Sequence, residues 1–204
     1  LAAIGLDVDG VLRNTAIHAY FASCKVISGN GGTAPALDAF VRDLNLDFLT
    51  YYQACGAKLA TIDELLEKFR ACVKVHDDEQ PFPDVAEFLV TLRHLGVKVF
   101  AVSSHPQEKL HGWFKAHGLD DHFVHFSGGS RDKAVCIAKA CEELRVNPSA
   151  VAYVGDWGLD MRGAAGAGVL PIGITRGYEV RQGLYESGAA HVVDHLLEVS
   201  EAIR

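Results

Sequence analysis

The chain has 204 residues, 49% hydrophobic and 22% charged, with 26 acidic against 19 basic residues and a net charge of −7. These values fit a globular protein of one domain or one and a half, and the acidic balance argues against nucleic acid or an anionic membrane as partner. A small anionic ligand stays open, because a bound metal ion can invert the local sign of charge. No signal-peptide pattern and no apolar run long enough to span a bilayer is read in the sequence. Cys24, Cys55, Cys72, Cys136 and Cys141 are scattered and form no CxxC pair. Reduced thiols and a cytoplasmic location are the expectation.

The first predicted element is the apolar run Ala2 to Leu6, a buried strand. It closes on Asp7-Val8-Asp9-Gly10-Val11-Leu12. Residues i and i+2 of a strand share a face, so Asp7 and Asp9 bring two carboxylates into one small volume. Unpaired neighbouring carboxylates repel and raise a pKa. The pair therefore predicts a bound cation, or a division of labour between an acid and a nucleophile.

From Arg13 to about Gln80 no strand signal stands out. Helical spacing is read over Ala16 to Ile27, Pro35 to Leu44, Asp47 to Cys55 and Thr61 to Val75, around a polar, glycine-rich stretch from Ser28 to Thr33. Residues 14–80 are expected to form a helical insertion, and residues 1–13 with 81–204 an α/β core. Within the insertion Arg42, Lys58 and Lys74 are candidates for gripping the far end of a ligand. Lys58 stands out because Gly56-Ala57-Lys58 reads as a loop able to face the core.

A helix over Asp84 to Leu95 returns to the core, and strands then alternate with helices. The strands are Val97 to Val102, His122 to Phe126, Ala150 to Val154, Val169 to Ile174 and Ala190 to Val193. The helices are Pro106 to His117, Asp132 to Leu144, Leu159 to Ala167, Arg181 to Glu186 and His195 to Ile203. That rhythm implies right-handed βαβ crossovers and a Rossmann-like parallel sheet covered on both faces.

Ligands of open α/β sheets bind outside the carboxyl ends of the strands. The residues ending the apolar runs are therefore the informative ones: Asp7 and Asp9, then Ser103-Ser104, then Gly155-Asp156 with Asp160 four residues on. Lys133 lies in the first turn of its helix, after Gly128-Gly129-Ser130-Arg131, where a cation opposes the helix dipole. Carboxylate oxygens suit a hard cation such as Mg²⁺, and serine hydroxyls, free amides and a lysine suit phosphate oxygens. Phosphoryl transfer is the reaction class that uses all of them. His105, directly after the serine pair, is a further candidate to line the site, and Trp157 sits inside the Asp156 loop.

With these residues in place, the chain resembles the haloacid dehalogenase superfamily, whose four signature motifs occur here in order. Asp7-Val8-Asp9-Gly10-Val11 is similar to DxDG[TV], Ser103 to the Ser/Thr motif, Lys133 to the isolated lysine, and Gly155-Asp156-Trp157-Gly158-Leu159-Asp160 to GDxxxD. The lysine lacks the flanking prolines of KPxP relatives, and Lys139 is a mid-helix rival. The tail from Gly173 to Tyr178 resembles phosphoglycolate phosphatases, and the insertion resembles a helical cap of the first type. The resemblance implies a Mg²⁺-dependent phosphatase of small phosphorylated metabolites, monomeric or homodimeric, acting through an aspartyl-phosphate. It implies Asp7 as nucleophile, Asp9 as acid and base, and Asp7, Asp9 (by its carbonyl), Asp156 and Asp160 around the metal. Gly10, Ser103, Ser104, Lys133 and Lys58 are expected at the substrate. Asp9 argues against dehalogenases and phosphonatases, which lack an acid there. Two alternatives remain at this level: a phosphosugar mutase similar to β-phosphoglucomutase, suggested by Asn14-Thr15 and His18, and a non-catalytic phosphate-binding module.

Overall fold

The computed structural model describes residues 1–43, 48–72, 79–129, 132–176 and 181–202. Among the sequence candidates, Lys74, Ser130, Arg131 and Tyr178 lie outside this set, and Arg42 is described in its backbone alone.

Six strands, β1 (Ala3–Leu6), β2 (Lys98–Ser103), β3 (His125–Gly128), β4 (Val151–Gly155), β5 (Leu170–Ile174) and β6 (His191–Val193), build one sheet. Its order is β3-β2-β1-β4-β5-β6, and every neighbouring pair is parallel. The central strands are short apolar runs, as expected where both faces are covered. Residues Ala3 to Leu6 are all buried, and so are Val151 to Gly155. On one face Ile4, Leu6, Ala101, Val154 and Ile174 meet the apolar stripes of α5 (Val85–His94), α6 (Gln107–Ala116) and α10 (Leu196–Ala202). On the other, Ala3, Phe100, Val102 and Tyr153 meet Cys136, Ile137 and Ala140 of α7 (Lys133–Leu144) and Ala164 of α8 (Gly158–Gly166). A further helix, α9 (Arg181–Glu186), sends Leu184 against Met161 and Val192.

The third strand departs from the sequence expectation. It begins at His125 rather than His122, because Asp120–His122 turn into a short 3₁₀ segment and Val124 is 57% exposed. The apolar run mixed a core residue, Phe123, with a solvent-facing valine, so composition alone misplaced the strand start.

Between β1 and α5 lie α1 (Ala16–Gly29), α2 (Leu37–Asp43), α3 (Phe48–Ala54) and α4 (Ile62–Cys72). They bury an apolar cluster of their own, with Val26, Ile27, Phe40, Tyr51, Tyr52 and Leu65. The buried Tyr52 hydroxyl donates to Ser23 Oγ (2.6 Å), which in turn donates to the Ala19 carbonyl (2.7 Å), so this second core leaves neither hydroxyl unsatisfied.

The strand order reverses direction between β1 and β4. This is the topological switch point, where helices leave the sheet to opposite faces and a crevice opens at the strands' carboxyl ends.

Candidate functional site

Asp7 follows β1 and Asp156 follows β4, so the two acids stand at the mouth of that crevice. The Asp7 amide donates to the Val154 carbonyl (2.9 Å), which continues the ladder one residue past the strand and fixes the acid there. Beyond it the chain doubles back: the Leu12 and Arg13 amides both donate to the Val8 carbonyl, at 2.8 and 3.1 Å. Gly10 makes this turn possible. Its φ is +74°, and a Cβ there would lie 2.0 Å from Asp156 Oδ2. Gly10→Ala is expected to cost about 2–4 kcal/mol through left-handed strain and overpacking. A melting curve should show a thermal midpoint lower by roughly 5–15 °C, because the displaced group is the buried Asp156 carboxylate.

Asp160 sits in the first turn of α8 and is 2% exposed. One oxygen each of Asp7, Asp156 and Asp160 lie within 4.8 Å of one another. Into this group reaches Lys133, whose Nζ is 2.9 Å from Asp7 Oδ1 and 2.9 Å from Asp160 Oδ1. The helix that carries it is started by Asp132, whose side chain accepts from the Val135 amide (3.0 Å). Close approach of α8 is allowed by Gly163, where a Cβ would lie 2.5 Å from Lys133 Cβ. The lysine opposes the dipole of its own helix, and the two aspartates compensate for that. It also donates to Tyr153 Oη (3.2 Å) and to the Val102 carbonyl (3.4 Å).

Burial pushes the Asp7 carboxyl up to about 7, against the pull of Lys133 and with the help of the Asp160 charge. Burial also works against the Lys133 ammonium, but Asp160 and Asp7 outweigh it and hold the lysine well above its ordinary value. Among the described residues, Lys133 is thus shared between two carboxylates, Asp7 and Asp160. A divalent cation beside Asp7 would act in the opposite sense to burial and favour the carboxylate. A buried all-oxygen set of three acids fits a hard cation such as Mg²⁺.

Asp9 faces elsewhere. Arg13 Nε donates to its Oδ1 (2.9 Å), and His105 Nε2 lies 3.1 Å from its Oδ2. Burial would raise this carboxyl, but the His105 hydrogen bond and the Arg13 charge outweigh it and hold Asp9 well below the usual carboxylate range. Ser103 ends β2 with 1% exposure, and its Oγ accepts from the His105 amide (3.2 Å), leaving its own hydrogen for an acceptor in the site.

Asp7, Ser103, Lys133, Asp156 and Asp160 are thus gathered at one end of the sheet, with Gly10 beneath them. Asp9 adjoins them but has its side chain outside the cation group. Ser104 is exposed on the loop after β2. Lys58 is exposed after α3, and no ion pair or hydrogen bond among the described residues joins it to the cluster. Lys139 is exposed and 3.7 Å from Glu143. Trp157 stacks edge-on against Phe48 of α3 (centroids 4.7 Å apart, 84°), so the insertion touches the Asp156 loop. Sequence reasoning missed Arg13, Tyr153 and Arg176. A base four residues after Asp9 was the available signal for Arg13. Arg176 joins Asp84 (2.6 Å) to the Val11 carbonyl and so ties the Asp7–Arg13 loop to the N-terminal end of α5.

Fold and site define a Rossmann-like core with an acidic centre at its switch point. The chain belongs to the haloacid dehalogenase-like hydrolase family, whose profile matches residues 1–168. A Clostridium perfringens (strain 13 / Type A) protein assigned the name pyrophosphatase PpaX is 29% identical over 149 residues, 70% of each chain. A phosphoglycolate phosphatase of Haemophilus influenzae (strain 86-028NP) is 28% identical over 123 residues, 58% of this chain and 55% of that one. Among solved structures, a haloacid dehalogenase-like family hydrolase from Streptococcus pneumoniae superposes with a TM-score of 0.81 at 21% identity, covering 100% of this chain and 99% of its own. That likeness is one of fold.

Proposed function

We propose that the protein is a Mg²⁺-dependent phosphatase that hydrolyses a small phosphorylated metabolite, of the phosphoglycolate or sugar phosphate type, through an aspartyl-phosphate on Asp7. The observation that carries this reading is the meeting of Asp7, Lys133, Asp156 and Asp160 at the switch point. The phosphatase names of its relatives support it.

In this reading an Asp7 oxygen attacks phosphorus as the ester P–O bond breaks. Asp9 gives its proton to the departing oxygen. It then takes one from a water that attacks the phosphoryl group, which releases inorganic phosphate and restores Asp7. The anionic preference of Asp9 suits the second half. In the first half the incoming phosphate brings negative charge beside it and pushes its carboxyl the other way. Ser103 and Lys133 hold phosphoryl oxygens, and Lys133 offsets charge that builds on them. Asp7, Asp156, Asp160 and the Asp9 carbonyl would hold Mg²⁺, which when bound neutralises phosphate charge. Residues 14–80 act as a cap, with the Phe48–Trp157 contact as one point of closure, and exclude bulk water from the reacting centre.

The test is a phosphate-release screen on esters of two- to six-carbon metabolites, with pyrophosphate included. Release of inorganic phosphate that EDTA stops and Mg²⁺ restores is the expected result. No release from any member of the panel would sink the reading. Sugar 6-phosphate formed from β-glucose 1-phosphate, without free phosphate, would replace it with a mutase.

A further inference from the structure

Asp9 is held from two sides by groups with fixed positions of their own. Arg13 is 3% exposed, with its guanidinium 5.2 Å from the centroid of the Trp113 ring. Trp113 is fully buried and donates from Nε1 to the Glu79 carbonyl (2.7 Å). His105 is held through its backbone: its amide donates to Ser103 Oγ (3.2 Å), and its carbonyl accepts from the Gly129 amide (2.7 Å). The loop can lie this close to β3 because residue 128 is glycine, where a Cβ would lie 2.8 Å from the His105 carbonyl oxygen. The imidazole therefore reaches Asp9 Oδ2 from a loop tied at both ends to the carboxyl edges of β2 and β3.

Each carboxylate oxygen accepts one hydrogen bond here and keeps a second lone pair. With Arg13 on Oδ1 and His105 on Oδ2, rotation of the carboxylate about either side-chain torsion breaks at least one contact. We propose that His105 is a positioning residue for Asp9: together with Arg13 it fixes the plane of that carboxylate, so that a free lone pair faces the departing oxygen and later the water. The role is geometric, and it rests on the reading of Asp9 as the proton carrier. It also links the phosphate-holding Ser103 loop to the proton carrier, because His105 contacts both. Ordering the carboxylate before substrate arrives removes a rotational cost from the transition state.

The test compares His105→Leu and His105→Gln by kcat/KM on two esters. p-Nitrophenyl phosphate expels a phenolate that departs without a proton, whereas β-glycerophosphate expels an alkoxide that needs one. The Gln amide nitrogen can stand where Nε2 stood, and Leu offers no donor. His105→Leu should lose about 10- to 100-fold on β-glycerophosphate and no more than about threefold on p-nitrophenyl phosphate, with Gln recovering most of the loss. Equal losses on both esters, no loss on either, or a Gln variant as poor as Leu would overturn the inference while leaving the phosphatase reading intact. A wild-type protein inert on both esters and on the metabolite panel would overturn both.

Discussion

Asp7→Asn is expected to reduce turnover of p-nitrophenyl phosphate by at least about 10⁴-fold, in line with the loss of a covalent nucleophile. The side chain occupies the one position where three roles meet. It follows β1 at the switch point, it is 2.9 Å from Lys133, and it shares the cation group with Asp156 and Asp160. An amide of the same shape keeps the Val8 amide contact through its carbonyl oxygen (2.8 Å in the wild type) but is a far weaker nucleophile and carries no charge. Folding should survive, because burial already disfavours the Asp7 charge. Steady-state kinetics with a melting curve on the same sample checks both halves. A variant that folds and retains more than about a hundredth of wild-type turnover would contradict the assignment.

The second large effect is expected at Lys133. Its side chain is 12% exposed and lies between Asp7 and Asp160, 2% exposed at its own side chain. Among the described residues Lys133 is the cation that ion-pairs with both, so Lys133→Met leaves their repulsion uncompensated by the described residues. Breaking such a buried pair costs about 3–5 kcal/mol in general. Here the figure should fall nearer 2–4 kcal/mol, because Asp7 can take up a proton and escape part of the penalty. Turnover should drop about 10²- to 10³-fold or more, the scale seen when one preorganised donor is removed from a reacting oxygen. Mg²⁺ should then stabilise the variant more than the wild type, since the cation replaces a lost positive charge. Urea denaturation with and without Mg²⁺ measures this. Equal Mg²⁺ stabilisation of the two proteins would mean that lysine and cation do not act on the same acids.

Much of the core could be read before the structure because its strands are short, apolar and stopped by polar residues. Val97 to Val102 and Ala150 to Val154 are unbroken apolar stretches apart from Lys98, and Ser103 and Asp156 stand out at their ends. The β3 boundary was misread for the opposite reason, since Val124 looks like a strand residue and faces solvent.

The grip on Asp9 was not legible. Arg13 reads as the first surface charge after an apolar turn, yet the chain folds back so that it bridges to Pro81 and lies against Trp113. Trp113 and His105 come from α6 and the β2–α6 loop, about a hundred residues from Arg13 in sequence. No local pattern encodes such a meeting. The same holds for Arg176, whose partners Asp84 and Val11 are 92 and 165 residues away. Lys58 remains an expectation: it is exposed after α3, and a loop position two residues from a glycine does not by itself say which way a long charged chain extends.

In the proposed mechanism the same carboxylate serves both roles, so loss of activity in Asp7→Asn does not separate a nucleophile from a metal ligand. The direct measurement is to quench the Mg²⁺-loaded wild-type protein during turnover, reduce it with borohydride and sequence its peptides by mass spectrometry. An acyl phosphate on Asp7 is reduced to homoserine at that position and nowhere else, and this is the expected result. A protein that is turning over substrate yet yields unmodified Asp7, or homoserine at Asp9 instead, would contradict the account.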